Sequence, residues 1–253
     1  MWQGKGVSVV IPALNEEEGV AGVVRDFLAT GVVDEVVIVD NGSTDRTVQE
    51  STRAGARVVN ERRRGYGSAV QRALQEGRHE YIVLCESDAT FEPKDIFKLL
   101  AYADDFSYVQ GTRTASTLIH TGANMGFFLK WGNWAVGKFL EFLFRGPSLT
   151  DMGCGFRLIA RDALRHIQPY FSVRGTYFAP EITTLVLLSG IRMVEIPVNY
   201  CERKGISKIT GVMWRAVIVG LRMIGLILRY RVRAWFNRGS LPPRFTVSAS
   251  ARG

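Results

Sequence analysis

Cysteine and histidine are scarce in this chain of 253 residues, with three of each. Cys85, Cys154 and Cys201 are widely spaced, odd in number and form no CxxC, so they read as small buried hydrophobes in a reducing compartment. His79, His120 and His166 lack metal-ligand spacing, which argues against zinc. In the long C-terminal helix candidate no uncharged run approaches the roughly 18 residues a membrane-spanning helix needs, and no repeat of solenoid period is visible. The first residues run directly into an apolar segment without a charged-then-apolar leader, so no signal peptide is expected. Acidic residues are absent after Glu202, where eleven Lys or Arg remain. The formal net charge of +8 therefore sits in the C-terminal segment, and the first 202 residues are slightly negative. Such asymmetry suits an anionic partner, a membrane surface or a nucleic acid.

What is present is ample apolar material, 47% hydrophobic with 11% aromatic residues, enough for one α/β domain and a small appendage. Short apolar runs at 7–11, 35–40, 57–59, 81–85 and 108–111 read as strands. Helical spacing over 16–28, from about 45, over 67–76 and after Pro93 alternates with them, with Ser43 or Thr44 as a candidate cap for the second helix. That alternation predicts right-handed crossovers and a mostly parallel sheet covered on both faces. Further on, 124–144 predicts a long aromatic-rich helix, 150–159 a polar stretch entering a strand, 179–188 a helix, 192–198 a strand and 211–236 a final long helix.

Ligands of open α/β sheets bind at the carboxyl ends of strands. Three predicted strands end in polar clusters: Pro12-Ala13-Leu14-Asn15-Glu16, Asp40-Asn41-Gly42-Ser43-Thr44-Asp45 and Glu86-Ser87-Asp88. Glu86 and Asp88 point the same way at a strand end. They either flank a divalent cation that bridges to a diphosphate or stand as two solvated acids, and spacing alone does not choose. Arg62, Arg63 and Arg64 read mostly as a solvated loop, while Gly65 and Gly67 would let backbone N–H groups approach a ligand.

The stretches VSVVIPALNEEEGV (7–20), VVIVDNGSTDRT (36–47), RGYGSAVQRAL (64–74), ESDATFEP (86–93), TDMGCGFRLI (150–159) and ERKGISKITG (202–211) follow the order seen in family 2 glycosyltransferases. Over residues 5–211 the chain most resembles the polyprenyl-phosphate sugar transferases, the group containing dolichol-phosphate mannosyltransferase. The first two motifs imply the GT-A fold, a Rossmann-like α/β architecture, and nucleotide binding. The last two suggest a lipid-phosphate acceptor. The resemblance implies that Pro12, Leu14 and Glu16 line the nucleotide and that Val39, Asp40 and Asn41 flank base and ribose. It makes Glu86-Ser87-Asp88 the family's Asp-x-Asp, with Asp88 and Glu86 on Mg²⁺ or Mn²⁺ and Ser87 at the donor. Arg113 matches an arginine near the donor phosphates. Arg203, Ser207 and Lys208 match a basic group that embraces phosphate late in the fold, which implies contact with the acceptor phosphate. Asp88, Arg113, Arg203 and Lys208 are thus the candidate catalytic residues. Three positions depart from the family: Glu86 replaces the usual first aspartate, Asn41 a frequent second aspartate, and Thr90 a Gln offered to the metal. No QxxRW, the mark of processive synthases, is present, which implies one sugar per event.

The implied reaction is an inverting transfer of one sugar from a nucleotide-diphosphate donor, of GDP-mannose or UDP-glucose type, to a polyprenyl or dolichyl phosphate. With a second pKa of about 6 the acceptor monophosphate is already nucleophilic, and no strong base is needed. A hydroxyl acceptor, on a soluble molecule or a glycan, would need one, with Asp151 or Glu181 as candidates. The expected organisation is a GT-A catalytic domain over 1–210, a basic amphipathic helix over 211–237 and a flexible tail over 238–253. Lys208, Arg215, Arg222 and Arg229 recur every seven residues and Arg233 follows, on one stripe beside apolar residues and Trp214, Tyr230 and Trp235. That pattern suits a helix lying in a membrane interface, on the cytoplasmic face, or one packed on the domain with its arginines in solvent. Phe127, Phe128, Trp131, Trp134, Phe139 and Phe142 offer a second membrane contact or a core or subunit face. Nucleic acid is not expected as a partner, because the aromatics lie on an apolar helix rather than among the basic residues. The sequence leaves open a homo-oligomer, a membrane partner subunit and a catalytically inactive scaffold.

Overall fold

A computed structural model describes residues 1–120, 127–202 and 213–246, with the backbone alone for 127–129 and 213–216. Seven strands form one sheet: β1 (Val7–Ala13), β2 (Glu35–Asp40), β3 (Arg57–Asn60), β4 (Tyr81–Leu84), β5 (Tyr108–Thr112), β6 (Arg157–Ala160) and β7 (Met193–Pro197), in the order β3-β2-β1-β4-β6-β5-β7. The apolar run of β1 is buried along its whole length because helices cover both sides of a central strand. Alternate residues face opposite layers. Val10, Val37 and Ile82 enter one core, and Val9, Ile38 and Val83 the other.

The parallel expectation holds for β1–β2, β1–β4, β2–β3 and β5–β7. The exception is β6, antiparallel to both β4 and β5. The mostly parallel GT-A-like sheet is therefore present, with one reversed strand inserted near its centre.

One face carries α1 (Val20–Ala29) and α4 (Ile96–Ala101), whose Val24, Phe27, Ile96 and Leu99 complete one core. The other carries α3 (Tyr66–Glu76), α5 (Phe127–Phe144), α6 (Arg161–Ile167), α7 (Phe178–Ser189) and α8 (Met213–Phe236) around the second core. The last helix, α2 (Thr47–Arg53), packs on α1. Helix α1 starts four residues later than its acidic residues suggest. Asn15 has a positive φ of 51°, and the backbone N–H groups of Asn15, Glu16 and Glu17 donate to Ser43, Thr47 and Asp45 side chains, so the acids lie in a turn. Neither Ser43 nor Thr44 caps α2, which begins after Arg46. The short α6 escapes a periodicity reading because seven residues span only two turns.

Helix α8 packs on α5 and α7, burying Met223, Leu226, Ile227 and Tyr230. The described part of the expected tail, 238–246, is docked rather than loose. Leu241 is buried, Phe245 N–H donates to the Ser189 carbonyl at 2.7 Å, and His166 Nε2 donates to the Pro243 carbonyl at 2.8 Å.

Candidate active site

Because β6 runs against its neighbours, its entry lies at the same sheet edge as the carboxyl ends of β1, β2, β4, β5 and β7. That edge gathers Leu14–Glu16 after β1, Asp40 and Asn41 at β2, Glu86–Asp88 after β4, Arg113 after β5 and Asp151–Gly155 before β6. Register sets the levels: Pro12 lies beside Val39 and Ala13 beside Asp40.

On the β2 side, much of the polar chemistry holds loops. Asp40 accepts from Gly42 N at 3.0 Å and Ser43 N at 3.1 Å, an arrangement that tightens the turn after the strand. Asn41 donates through Nδ2 to the Glu61 and Arg63 carbonyls, both at 2.9 Å, and accepts from Gly65 N at 2.9 Å. Its amide is a staple for the 61–65 loop, a job the family's frequent aspartate lacks the donors to do. Val39 sits at the right level, but its side chain is spent in the core. Pro12 is buried, and its carbonyl accepts from Ser87 Oγ at 3.5 Å. Leu14 and Glu16 are partly exposed at the edge.

The carboxylate pair follows β4. Asp88 is 3% exposed, and its Oδ1 accepts from Thr90 N at 3.2 Å and Thr90 Oγ1 at 2.6 Å. Thr90 thus orients Asp88. Glu86 is half-buried and backed against Gly155, where an added Cβ would sit 2.8 Å from the carboxyl carbon. A side chain at 155 would displace the longer acid from this position. Among the described residues no cluster of three or more His, Cys, Asp or Glu is arranged for a metal. Two hard oxygen donors at a cleft edge do fit Mg²⁺ or Mn²⁺ in the manner of sites completed by substrate phosphate and water. Tyr66, at the start of α3, shares this field: burial pushes its phenol pKa up, and the charges of Glu86 and Asp88 add to the rise.

Arg113 and Asp151 form a buried bidentate pair, Nε to Oδ2 at 2.7 Å and Nη2 to Oδ1 at 3.0 Å, with Arg113 N also donating to Oδ2 at 3.1 Å. The guanidinium lies 5.2 Å over the Tyr200 ring. Burial opposes both charges, but the pairing outweighs it, so the Arg113 pKa is held well up and the Asp151 pKa below its ordinary value. Asp151 is therefore spoken for. Glu181, fully buried in α7, accepts from Ser172, Val173 and Tyr230. Neither carboxylate is placed as the base that a hydroxyl acceptor would require. Arg203, Ser207 and Lys208 lie outside the described residues. The chain just before them is well placed, since Cys201 N–H donates at 2.8 Å to the carbonyl of Thr90, two residues past Asp88.

Sequence reasoning missed Arg157. It is buried, and among the described residues its guanidinium donates to neutral oxygens: the Cys154, Met152 and Ala179 carbonyls, Tyr108 Oη and Thr183 Oγ1. An Arg directly after a Gly-Phe pair at a strand start was the available signal.

A mostly parallel seven-stranded sheet with one reversed strand, and with carboxylates, a loop-bound Asp-Asn pair and a paired arginine at one edge, has the architecture of the GT-A fold. The model of the family described as Glycosyl transferase family 2 matches residues 8–168, and the chain belongs to that family. It is 30% identical over 230 residues to a dolichyl-phosphate hexose transferase of Haloferax volcanii, covering 90% of this chain and 96% of that one. It is 31% identical over 205 residues to the low-salt glycan biosynthesis hexosyltransferase Agl6 of the same organism, covering 79% of this chain but 48% of that longer relative. Among solved structures, glucosyl-3-phosphoglycerate synthase from Mycobacterium tuberculosis, in complex with Mn²⁺, UDP-glucose and phosphoglyceric acid, superposes with a TM-score of 0.71 at 21% identity, covering 90% of this chain and 80% of that one. That likeness is one of fold.

Two outcomes follow from this geometry. Asn41→Asp leaves the Glu61 and Arg63 carbonyls without their donors and costs about 1–3 kcal/mol in thermal unfolding. Asp151→Asn strands a buried guanidinium and costs about 3–5 kcal/mol at neutral pH. Since the folded pKa of Asp151 is depressed, the pair stabilises fully above the unfolded carboxylate range and is lost as pH falls through the folded value. The gap between wild type and Asp151→Asn therefore narrows in acid, as unfolding at a series of pH values will register.

Proposed function

We propose that this glycosyltransferase carries out an inverting transfer of a single hexose from a nucleotide-diphosphate sugar to a polyprenyl or dolichyl phosphate, at the cytoplasmic face of a membrane. The observation that carries the reading is the convergence of Glu86, Asp88 and Arg113 with the Asp40–Asn41 turn at one sheet edge. The dolichyl-phosphate hexose transferase matched over nearly its full length and a yeast dolichyl-phosphate beta-glucosyltransferase, 28% identical over 258 residues, support the lipid-phosphate acceptor. The structural relatives solved with Mn²⁺ or Mg²⁺ and UDP support a divalent ion and a nucleotide donor.

Glu86 and Asp88 would hold Mg²⁺ or Mn²⁺, which supplies charge neutralisation for a leaving diphosphate. Asp88 is held by Thr90, and Glu86 lies against Gly155. The Asp40 turn and the loop stapled by Asn41 shape the edge where base and ribose would lie. Arg113 arrives already oriented by Asp151 and Tyr200, so its remaining N–H edge meets phosphate without reorganising. A phosphate monoester dianion attacks without a general base, which agrees with Asp151 and Glu181 both being committed elsewhere. Arg203 and Lys208 would offset repulsion between the two anionic substrates.

The membrane surface proposed here is built from two helices. On α8, Val217, Leu221, Leu228, Val232 and Trp235 share one exposed stripe, with Leu221 64% and Trp235 63% exposed. On α5, Trp131, at 52%, and Trp134 meet edge-on at 5.6 Å, and Phe142 is 81% exposed. Arg222, Arg229 and Arg233 line a neighbouring exposed sector. Apolar residues with tryptophans beside a basic row match the depth and charge of an anionic lipid interface. No described helix is long and apolar enough to cross a membrane.

The decisive assay incubates protein and Mn²⁺ with radiolabelled UDP- and GDP-sugars, with and without polyprenyl phosphate. Label extracted into organic solvent, and reduced at least 100-fold in Asp88→Ala, is the expected result. Label on a soluble acceptor instead sinks the lipid assignment and keeps the sugar transfer. Flotation with vesicles containing anionic lipid is expected to carry the wild type up and to leave Leu221→Glu/Trp235→Glu in the dense fraction. Equal flotation of the two would remove the membrane surface.

A further inference from the structure

Glu181 is a fully buried carboxylate that pairs with no cation among the described residues. An isolated buried charge is costly unless hydrogen bonds replace its water. Four donors do so. Ser172 N at 3.0 Å, Ser172 Oγ at 2.5 Å and Tyr230 Oη at 2.8 Å donate to Oε1, and Val173 N donates at 2.9 Å to Oε2. Tyr230 belongs to α8, so this carboxylate joins the basic helix to the 172–173 segment.

That segment reaches the nucleotide edge. The Val173 carbonyl accepts from Gln71 Nε2 at 2.7 Å, and the Arg174 carbonyl accepts from Ser68 N at 3.2 Å. Both bonds are to α3. The contact is backbone on backbone: a Cβ on Gly65 would sit 2.6 Å from the Arg174 carbonyl oxygen, and one on Gly67 would sit 2.7 Å from the Val173 oxygen. Gly65 has φ of +123°, and its N–H donates to Asn41. The 64–68 turn is therefore fixed from one side by Asn41 and from the other by the 173–175 backbone. Glu181 in turn sets that backbone's height.

We infer that Glu181 is a positioning residue for the donor edge: it registers α8 against the 172–175 segment, and that segment seats the Gly65–Tyr66–Gly67 turn beside Asn41. Nucleotide affinity therefore follows the seating of α8, whose Tyr230 lies 49 residues from Glu181 in sequence. The inference rests on the nucleotide-sugar reading of this edge and is independent of the acceptor.

The test measures binding of UDP and of GDP with Mn²⁺ by calorimetry, alongside thermal unfolding. It compares wild type, Tyr230→Phe, Glu181→Gln, the double variant and Ile227→Val. The last loosens α8 on the same core without touching a hydrogen bond. The expected result is a 3- to 10-fold weaker Kd in each hydrogen-bond variant, a double variant no worse than Glu181→Gln, and a Kd for Ile227→Val within twofold of wild type. Variants that melt earlier while binding nucleotide as tightly as wild type would reduce Glu181 to a structural role and overturn the inference. An equal loss of affinity in Ile227→Val would overturn it as well, by showing general loosening. If Glu181→Gln does not fold, Tyr230→Phe against Ile227→Val decides the matter alone. Wild type that binds neither nucleotide overturns the donor reading and this inference with it, whereas binding that every variant retains overturns this inference only.

Discussion

A carboxylate and a guanidinium can share a dry sheet edge only if each is matched to the other in geometry as well as sign. Arg113 and Asp151 meet that condition through two side-chain hydrogen bonds and one from the Arg113 backbone. The pair joins the end of β5 to the loop before β6, and it can form there only because β6 runs against both neighbours. A parallel β6 would carry the 151–155 loop to the far edge. Much of the site hangs on that reversal: the glycine beside Glu86, two of the three carbonyls that hold Arg157, and the orientation of Arg113 all come from the same loop.

Much of the polar chemistry at this edge is internal. Asp40, Asn41, Asp45 and Ser43 satisfy backbone N–H and carbonyl groups of neighbouring turns rather than solvent. Loops held this way lose little further freedom when a ligand arrives, which is how a site on connecting segments becomes precise. Thr90 does the same for Asp88, and Asp151 for Arg113. Asp88 and Arg113, two of the groups proposed to meet a ligand, are thus each backed by a partner that fixes its direction.

Helix α8 presents three sectors. Met223, Leu226, Ile227 and Tyr230 close the core, Val217, Leu221, Leu228 and Trp235 face outward, and the arginines occupy a third sector. Arg231 sits at a border, stacked on Phe144 at 5.6 Å and Trp235 at 4.9 Å, which ties α8 to α5. The buried face agrees with a helix packed on the domain, one of the two readings that its heptad of basic residues left open, and the outward face is the one on which the proposed membrane contact rests.

By itself the sequence determined what local pattern and short-range chemistry can specify. Short apolar runs marked six of the seven strands, a polar stretch over 150–159 led into the remaining one, β6, and polar clusters after three of the strands marked the edge where Glu86, Asp88 and Asp40 stand. Helix starts were less legible where side chains from another loop intervene, as Ser43, Asp45 and Thr47 do at residues 15–17. Only the tertiary structure decided the direction of β6, because a strand's residue pattern is the same read either way and pairing partners lie far off in sequence. Only tertiary contacts turned Asn41 into a loop staple, Asp151 into the partner of Arg113 and Glu181 into a link between α8 and α3. A carboxylate or amide carries no mark in the sequence of which distant N–H or guanidinium it will meet, and burial at the end of a fold is what commits it to one.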